Sequence, residues 1–125
     1  MKKTRKLVSF MVGACLIIGA VTSAFAADLD NHWAKDVIEK FAEQGWVEAD
    51  EEGNYAPDKA LTRGELAQII NRVGAFSEES TEMAKFEDLS ADHPYYAEFA
   101  KAVAAGYMEG NGSRMYPDSK VTREQ

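Results

Sequence analysis

Apolar residues recur at helical spacing in three stretches of the chain, each followed by a segment rich in glycine and polar residues. In the first stretch they stand three and four positions apart, at Ala34, Val37, Ile38, Phe41 and Ala42. This pattern predicts an amphipathic helix from about Trp33 to Gln44. Asp30 or Asn31 is expected to cap its first turn, and Gly45 stands where a left-handed residue ends a helix.

The second stretch carries a complete helix-start signal. Thr62 is the predicted N-cap, Glu65 completes a capping box, and Leu61 is placed to pack on Leu66 as a hydrophobic staple. The buried face of this helix is predicted at Leu66, Ile69, Ile70 and Val73.

The third stretch has the plan of the first, with an apolar face predicted at Tyr95, Phe99, Ala102 and Val103. Pro94 is expected in its first turn and Gly106 at its end. A second helix start follows, with Val121 as staple residue, Thr122 as cap and Gln125 at the box position, where the sequence stops.

These stretches belong to an internal repeat. His32 and Gly45 return 61 positions later as His93 and Gly106. The Tyr55–Asp58 and Leu61–Arg63 segments return after 60 positions, as residues 115–118 and 121–123. The sequence therefore predicts an all-α fold of two loop-rich helical hairpin modules, at residues 27–74 and 86–125, joined by a linker at 75–85. The second module is interpreted as truncated, so residues 33–73 are expected to be better packed than those from Phe86 onward.

The N-terminus has the layout of a secretory signal peptide at residues 1–26. Four basic residues precede an apolar run, and Ala24-Phe25-Ala26 forms an A-x-A cleavage site. The alternatives are an uncleaved membrane anchor and lipidation at Cys15. Ordinary cleavage leaves a secreted chain without cysteine and with no membrane attachment.

The charge and the motifs of the chain exclude several classes of function. Removing the four basic signal residues changes the net charge from −7 to −11, which makes nucleic acid an unfavourable partner. The acidic loop at residues 48–54 does not have EF-hand spacing, and His32 and His93 lack neighbouring metal ligands, so no metal site or cofactor is predicted. The equivalent positions of the two histidines in the repeats suggest a shared role in helix entry. No catalytic motif stands out, and we expect a binding module rather than an enzyme.

The repeated motifs resemble the S-layer homology module. In the first copy they are His32-Trp33-Ala34, Tyr55-x-Pro57 and Leu61-Thr62-Arg63-Gly64-Glu65, and in the second Phe86-Glu87-Asp88-Leu89, Tyr116-Pro117 and the segment 121–125. The resemblance implies anchoring at a bacterial cell wall or S-layer, through polysaccharides that are attached to peptidoglycan and often pyruvylated. It also implies a pseudo-threefold helical bundle of three modules with grooves between them, so this chain would pack with a further module of the same or another chain.

The residues expected to bind the polysaccharide are charged or aromatic: Asp28, Trp33, Arg63, Asp88, Tyr95, Tyr96 and Arg123. Each arginine follows an N-cap threonine, where a guanidinium can pair with a carboxylate and the helix end offers free N–H groups. The alternative for Arg63 is a surface ion pair with Asp58 or Glu65. The aromatic residues either stack on sugars or pack in the core, and the aspartates either bind ligand or hold turns. Two rival functions remain, the tether of a downstream enzyme and a subunit of a surface lattice.

Overall fold

The computed structural model of the protein describes residues 26–125. Within this span the regular elements are helices joined by long turns and loops, and the β-pairing consists of two isolated bridges. Its α-helices are α1 (Lys35–Glu43), α2 (Arg63–Gly74) and α3 (Tyr96–Ala105), with short 3₁₀ helices at Ala27–Leu29 and Glu82–Lys85. The predicted all-α class is confirmed. No helix within the described span is long and apolar enough to cross a bilayer. Apart from Ala26, the predicted signal peptide and its Cys15 lie outside the described residues.

The entry of α1 differs from the prediction. The helix begins at Lys35 with Ala34 as an N-cap that makes no side-chain cap bond. Asn31 adopts a left-handed conformation (φ 62°) instead of capping. The backbone N–H of Ala34 donates to Nδ1 of His32 at 3.1 Å. The same bond returns in the second repeat.

In that repeat, the N–H of Tyr95 donates to Nδ1 of His93 at 3.1 Å. The N–H of the residue two positions after the histidine is thus satisfied by an imidazole in both copies. The shared role predicted for the histidines in helix entry is confirmed. Pro94 lies just before the N-cap of α3, outside the first turn where it was expected.

The start of α2 follows the prediction closely. The N–H of Glu65 donates to Oγ1 of Thr62 at 3.2 Å, and the N–H of Thr62 donates to the Glu65 carboxylate at 2.8 Å. This is the complete capping box that the sequence indicated. The glycines predicted to end helices, Gly45 and Gly106, both have left-handed φ angles, of 72° and 76°.

The buried face of α2 is a different stripe from the predicted one. Its buried residues are Gly64, Ala67 and Asn71, whereas Leu66, Ile69 and Ile70 are half-buried and Val73 is 48% exposed. The small side chains allow α3 to approach closely. A Cβ added to Gly64 would lie 2.5 Å from Cδ2 of Tyr95.

Asn71 fastens α2 to the second repeat. Its Nδ2 donates to the Glu98 carbonyl at 2.9 Å and to the Glu98 carboxylate at 2.7 Å. Its Oδ1 accepts from the Tyr107 hydroxyl at 2.7 Å, which is also 3.2 Å from the Ala67 carbonyl. Burial is the main reason that the pKa of Tyr107 rises to about 12, and the nearby Glu98 carboxylate adds to it.

The hydrophobic core belongs mainly to the second repeat and to the segment before it. Its buried members are Ala67, Met83, Phe86, Leu89, Phe99, Ala100, Ala102, Met108 and Met115. Helix α1 has no buried residue. The packing is therefore the reverse of the expectation, because the second repeat uses α2 of the first repeat as its partner. Met83, within the predicted linker, is part of this core.

Candidate functional site

Two loops with the same geometry lie at equivalent positions of the two repeats, and the second of them contributes to the candidate site. In the first repeat the Asp28 carboxylate accepts the N–H groups of Tyr55 (3.0 Å) and Ala56 (2.7 Å). In the second repeat the Asp88 carboxylate accepts those of Met115 and Tyr116, both at 2.8 Å. The aspartates thus hold turns, which was one of their two predicted roles.

Each aspartate clamps a strained residue. Ala56 and Tyr116 have left-handed φ angles of 46° and 54°, which are costly for residues with a side chain. Both also precede a proline, which normally pushes the residue before it toward an extended conformation. Burial alone would raise the pKa of the Asp88 carboxyl. The hydrogen bonds from Met115 and Tyr116 outweigh that effect and lower it.

The clamped loop of the second repeat lies across the start of α2. The N–H of Arg63 donates to the Ser119 carbonyl at 2.8 Å, and the N–H of Gly64 donates to the Pro117 carbonyl at 3.0 Å. Thr62 and Lys120 form an isolated antiparallel bridge alongside. The expectation of free N–H groups at this helix end is therefore wrong, because protein carbonyls and the capping box already occupy them.

The Arg63 side chain extends onto the same loop region. Its Nε donates to the Met115 carbonyl and its Nη2 to the Glu109 carbonyl, both at 2.9 Å. No carboxylate of the described residues lies within ion-pair distance of it. The predicted alternative, a pair with Asp58 or Glu65, is wrong: Asp58 binds His32, and Glu65 binds Lys59.

An open groove of about 320 Å³ lies beside this guanidinium, between the two repeats. We call it the Arg63 groove; its lining is Arg63, Glu109, Gly110, Asn111, Tyr116, Ser119, Lys120 and Gln125. Two cations, Arg63 and Lys120, stand against one acid, Glu109. The groove is thus locally cationic in a chain that is strongly acidic overall.

A larger groove of about 750 Å³ runs between α1 and α2, with an apolar lining that includes Val37, Ile38, Phe41, Leu66 and Ile69. Charges at its edge are paired: Lys59 with Glu65 at 2.9 Å, and Arg72 with Glu48 at 3.2 Å. Burial would raise the pKa of Glu65, but the hydrogen bonds from Thr62 and Lys59 outweigh it and lower the pKa. This edge offers little free charge to an ionic ligand.

The other residues predicted to bind ligand are dispersed. Tyr95 lines the larger groove and packs on Gly64, and Tyr96 is half-buried against the core. Trp33 is 84% exposed, with its ring 5.6 Å from that of His32. Arg123 is exposed in the turn near the C-terminus. Of the seven predicted residues, only Arg63 lines the groove named after it.

Sequence reasoning missed Lys120, Asn111 and Tyr116 as lining residues. Their proximity to Arg63 depends on the packing of one repeat on the other, which no local pattern encodes. Within residues 26–125 there is no cluster of histidine, cysteine or carboxylate side chains that could hold a metal ion.

Comparisons with known proteins agree with this repeated architecture. A family model described as the S-layer homology domain matches residues 27–67 and 85–125. An amylopullulanase of Thermoanaerobacterium thermosulfurigenes is 35% identical over 98 residues, covering 78% of this chain and 5% of that protein. An endo-1,4-beta-xylanase A of Thermoanaerobacterium saccharolyticum has the same identity over the same share of this chain, and 8% of its own length is covered.

The surface-layer 125 kDa protein of Lysinibacillus sphaericus is 29% identical over 130 residues. That match covers 98% of this chain and 11% of the relative. The chain thus spans only a small part of each of these three proteins. No solved structure matches it significantly.

Proposed function

The chain belongs to the S-layer homology domain family, whose modules anchor proteins at the bacterial cell wall, and on that premise we propose that the Arg63 groove binds an anionic wall polysaccharide. The cargo held in this way is the protein that carries the two repeats. The groove needs no catalytic group for this task. Anchoring requires affinity alone.

The observation that carries the proposal is that the Arg63 guanidinium is held in place but its charge is not neutralised. Backbone carbonyls fix the guanidinium in place, yet they carry no charge that could neutralise it. An arginine has five N–H donors, and these two bonds leave three of them without a protein partner in the described span. A preoriented cation with spare donors is suited to an anion.

A carboxylate attached to a sugar fits this arrangement. The planar guanidinium can present two parallel N–H groups to a carboxylate, and Lys120 adds a second positive charge at the groove. The pyruvate ketal that the family resemblance implies supplies such a carboxylate, while Asn111, Ser119 and Tyr116 offer polar groups for sugar hydroxyls. The dipole of α2 adds positive potential, although its N–H groups are occupied.

The overall charge of the chain makes a local site necessary. The net charge of −7, which becomes −11 if the predicted signal peptide is removed, repels an anionic polymer at long range, but physiological salt screens that repulsion beyond about 8 Å. Inside the groove, charge-assisted hydrogen bonds contribute about 1.5–3 kcal/mol each, which corresponds to about ten- to a hundredfold in affinity.

Cosedimentation with purified wall sacculi tests the proposal. Arg63→Ala is expected to weaken binding about ten- to a hundredfold, and Arg63→Lys to weaken it less, because lysine keeps the charge without the fork. Arg72→Ala is the matched control, since it removes one arginine from the same helix but outside the groove. Sacculi stripped of their secondary polymers should bind none of these proteins.

Arg63 also supports the loop, so a second variant protects the test from a folding artefact. Lys120 is exposed and its side chain has no ion pair in the described residues, so Lys120→Ala should weaken sacculus binding while circular dichroism stays unchanged. Parent-like binding by both Arg63→Ala and Lys120→Ala would refute the groove as the binding site. Recognition would then rest on the remaining predicted residues, among which exposed Trp33 is proposed to stack on a sugar ring.

Two kinds of carrier are compatible with such an anchor. Relatives named as carbohydrate-active enzymes favour the tether of an enzyme, and those named as surface-layer proteins favour a lattice subunit. The complete coding sequence distinguishes them: a catalytic domain beside the repeats would establish the tether, and an extended β-rich region would establish the lattice subunit.

A further inference from the structure

The chain has four asparagines, and one of them stands apart by its neighbour and its setting. Asn111 is followed by Gly112, whereas Asn31, Asn54 and Asn71 precede residues with bulky side chains. A glycine leaves the backbone nitrogen after the asparagine unobstructed. This is the arrangement in which that nitrogen most readily attacks the side-chain amide.

The structure leaves both reacting groups accessible. Asn111 and Gly112 are exposed, and neither the Asn111 amide nor the Gly112 N–H makes a hydrogen bond within residues 26–125. Gly112 has a φ of 62° in a tight turn that pairs Asn111 with Arg114 at 2.8 and 3.2 Å. By contrast, Asn71 is 3% exposed inside α2 with its amide bonded to Glu98.

We propose that Asn111 is a site of spontaneous deamidation, and that its conversion progressively weakens the anchor. The Gly112 nitrogen loses its proton to solvent base and attacks Cγ of Asn111, and ammonia leaves as the succinimide closes. Water then opens the ring at one of its two carbonyls, giving aspartate or isoaspartate. No oxidant, reductant or enzyme is needed.

The position gives the reaction a consequence for ligand binding, and this part rests on the proposed function. Asn111 lines the groove that also contains Arg63 and Lys120. Either product adds one negative charge there, which changes the balance from two cations and one acid to two of each. Coulomb repulsion across a few ångströms of solvated groove should weaken the binding of an anionic sugar about three- to tenfold.

The first repeat shows what the aspartate product does to the fold. Asp50 occupies the position equivalent to Asn111: its N–H donates to the Asn54 carbonyl, as that of Asn111 does to Arg114. The Asp50 carboxylate accepts the N–H groups of Glu52 (3.0 Å) and Asn54 (2.9 Å). Aspartate is therefore compatible with the corresponding turn of the first repeat, which is one residue longer, and we expect its effect at 111 to be mainly electrostatic. Isoaspartate instead lengthens the backbone by a methylene and breaks the pairing with Arg114.

The test ages the parent chain in mildly alkaline buffer and follows two independent readouts. Peptide mapping by mass spectrometry should find the gain of one dalton, and the isoaspartate product, first at residue 111. Asn31 and Asn54 serve as internal controls. Even or faster conversion at those residues would overturn the site assignment, whatever the protein binds.

Sacculus binding is the second readout. The aged parent and fresh Asn111→Asp should bind about three- to tenfold more weakly than the fresh parent. Asn111→Gln is compared only with itself, and its affinity, whatever the substitution does to it, should be the same before and after ageing. Undiminished binding by Asn111→Asp would overturn the link between deamidation and release. Failure of the fresh parent to bind at all would instead refute the proposed function and leave the mass result standing.

Discussion

Replacing Asn71 by alanine tests what holds the two repeats together. The side chain is 3% exposed and joins α2 to Glu98 and Tyr107 through three hydrogen bonds. The bond to the Glu98 carboxylate is worth about 1.5–3 kcal/mol, and each neutral bond about 0.5–1.5 kcal/mol. Tyr107 keeps its contact with the Ala67 carbonyl, so part of its bond survives. We expect Asn71→Ala to lower the free energy of unfolding by about 3 kcal/mol.

Such a loss is large for a chain of this size, because small domains are stable by only about 5–15 kcal/mol. Urea unfolding followed by far-ultraviolet circular dichroism measures it directly. Arg72→Ala is the control one residue along the helix, and loss of its exposed pair with Glu48 should cost less than about 1 kcal/mol. Asn71→Asp should be at least as harmful as the alanine, because it removes both donors and sets a carboxylate against Glu98. A cost of Asn71→Ala no greater than that of Arg72→Ala would show that the buried hydrogen-bond network makes no net contribution to stability.

Four further outcomes are expected. Ala75→Gly should raise the free energy of unfolding by about 0.5–1 kcal/mol, because Ala75 ends α2 at a φ of 52°; no gain in thermal unfolding would contradict this. Gly64→Ala should cost about 1–3 kcal/mol, since the new methyl would meet the base of the Tyr95 side chain; a parent-like urea midpoint would show that α3 yields freely. The free energy of unfolding should fall as pH rises from 10 toward 12, because the pKa of the Tyr107 hydroxyl is raised to about 12 in the folded chain and has its ordinary value of 10.0 when unfolded. Tyrosinate absorbance and circular dichroism should therefore change together, and a normal titration of every tyrosine while the chain stays folded would refute this. Amide hydrogens of α1 should exchange faster than those of α3, because α1 buries no residue; mass-spectrometric exchange in the opposite order would contradict the packing.

The parts of the fold that the sequence predicts well are those with local causes. The start of α2 depends on Thr62 and Glu65, which lie three positions apart, and the helix ends depend on single glycines. The entry of α1 was mispredicted because His32 accepts the N–H bond that Asp30 or Asn31 was expected to accept. Histidine is not among the preferred capping residues, although its return in both repeats indicated the role.

The tertiary packing was harder to predict for a physical reason. Hydrophobic periodicity identifies large apolar residues, so it selected Leu66 and Ile69 and overlooked the stripe of Gly64, Ala67 and Asn71. Small residues on α2 permit another helix to approach closely, but the sequence of α2 alone does not indicate which helix packs there. The prediction of the site from sequence is limited in the same way. Charge and position singled out Arg63, whereas its carbonyl partners and Lys120 come from a loop more than forty residues away.

The capping of α2 by the loop of the other repeat bears on how a chain like this arises by gene duplication. A single copy has a helix start whose first N–H groups point toward carbonyls that it does not contain. A one-copy ancestor would have taken those carbonyls from a neighbouring molecule or left the N–H groups to water. Joining two copies converts that encounter into a contact within one chain, at a much higher effective concentration. In this chain the repeat is about sixty residues long, and one copy completes the helix start of the other at their junction.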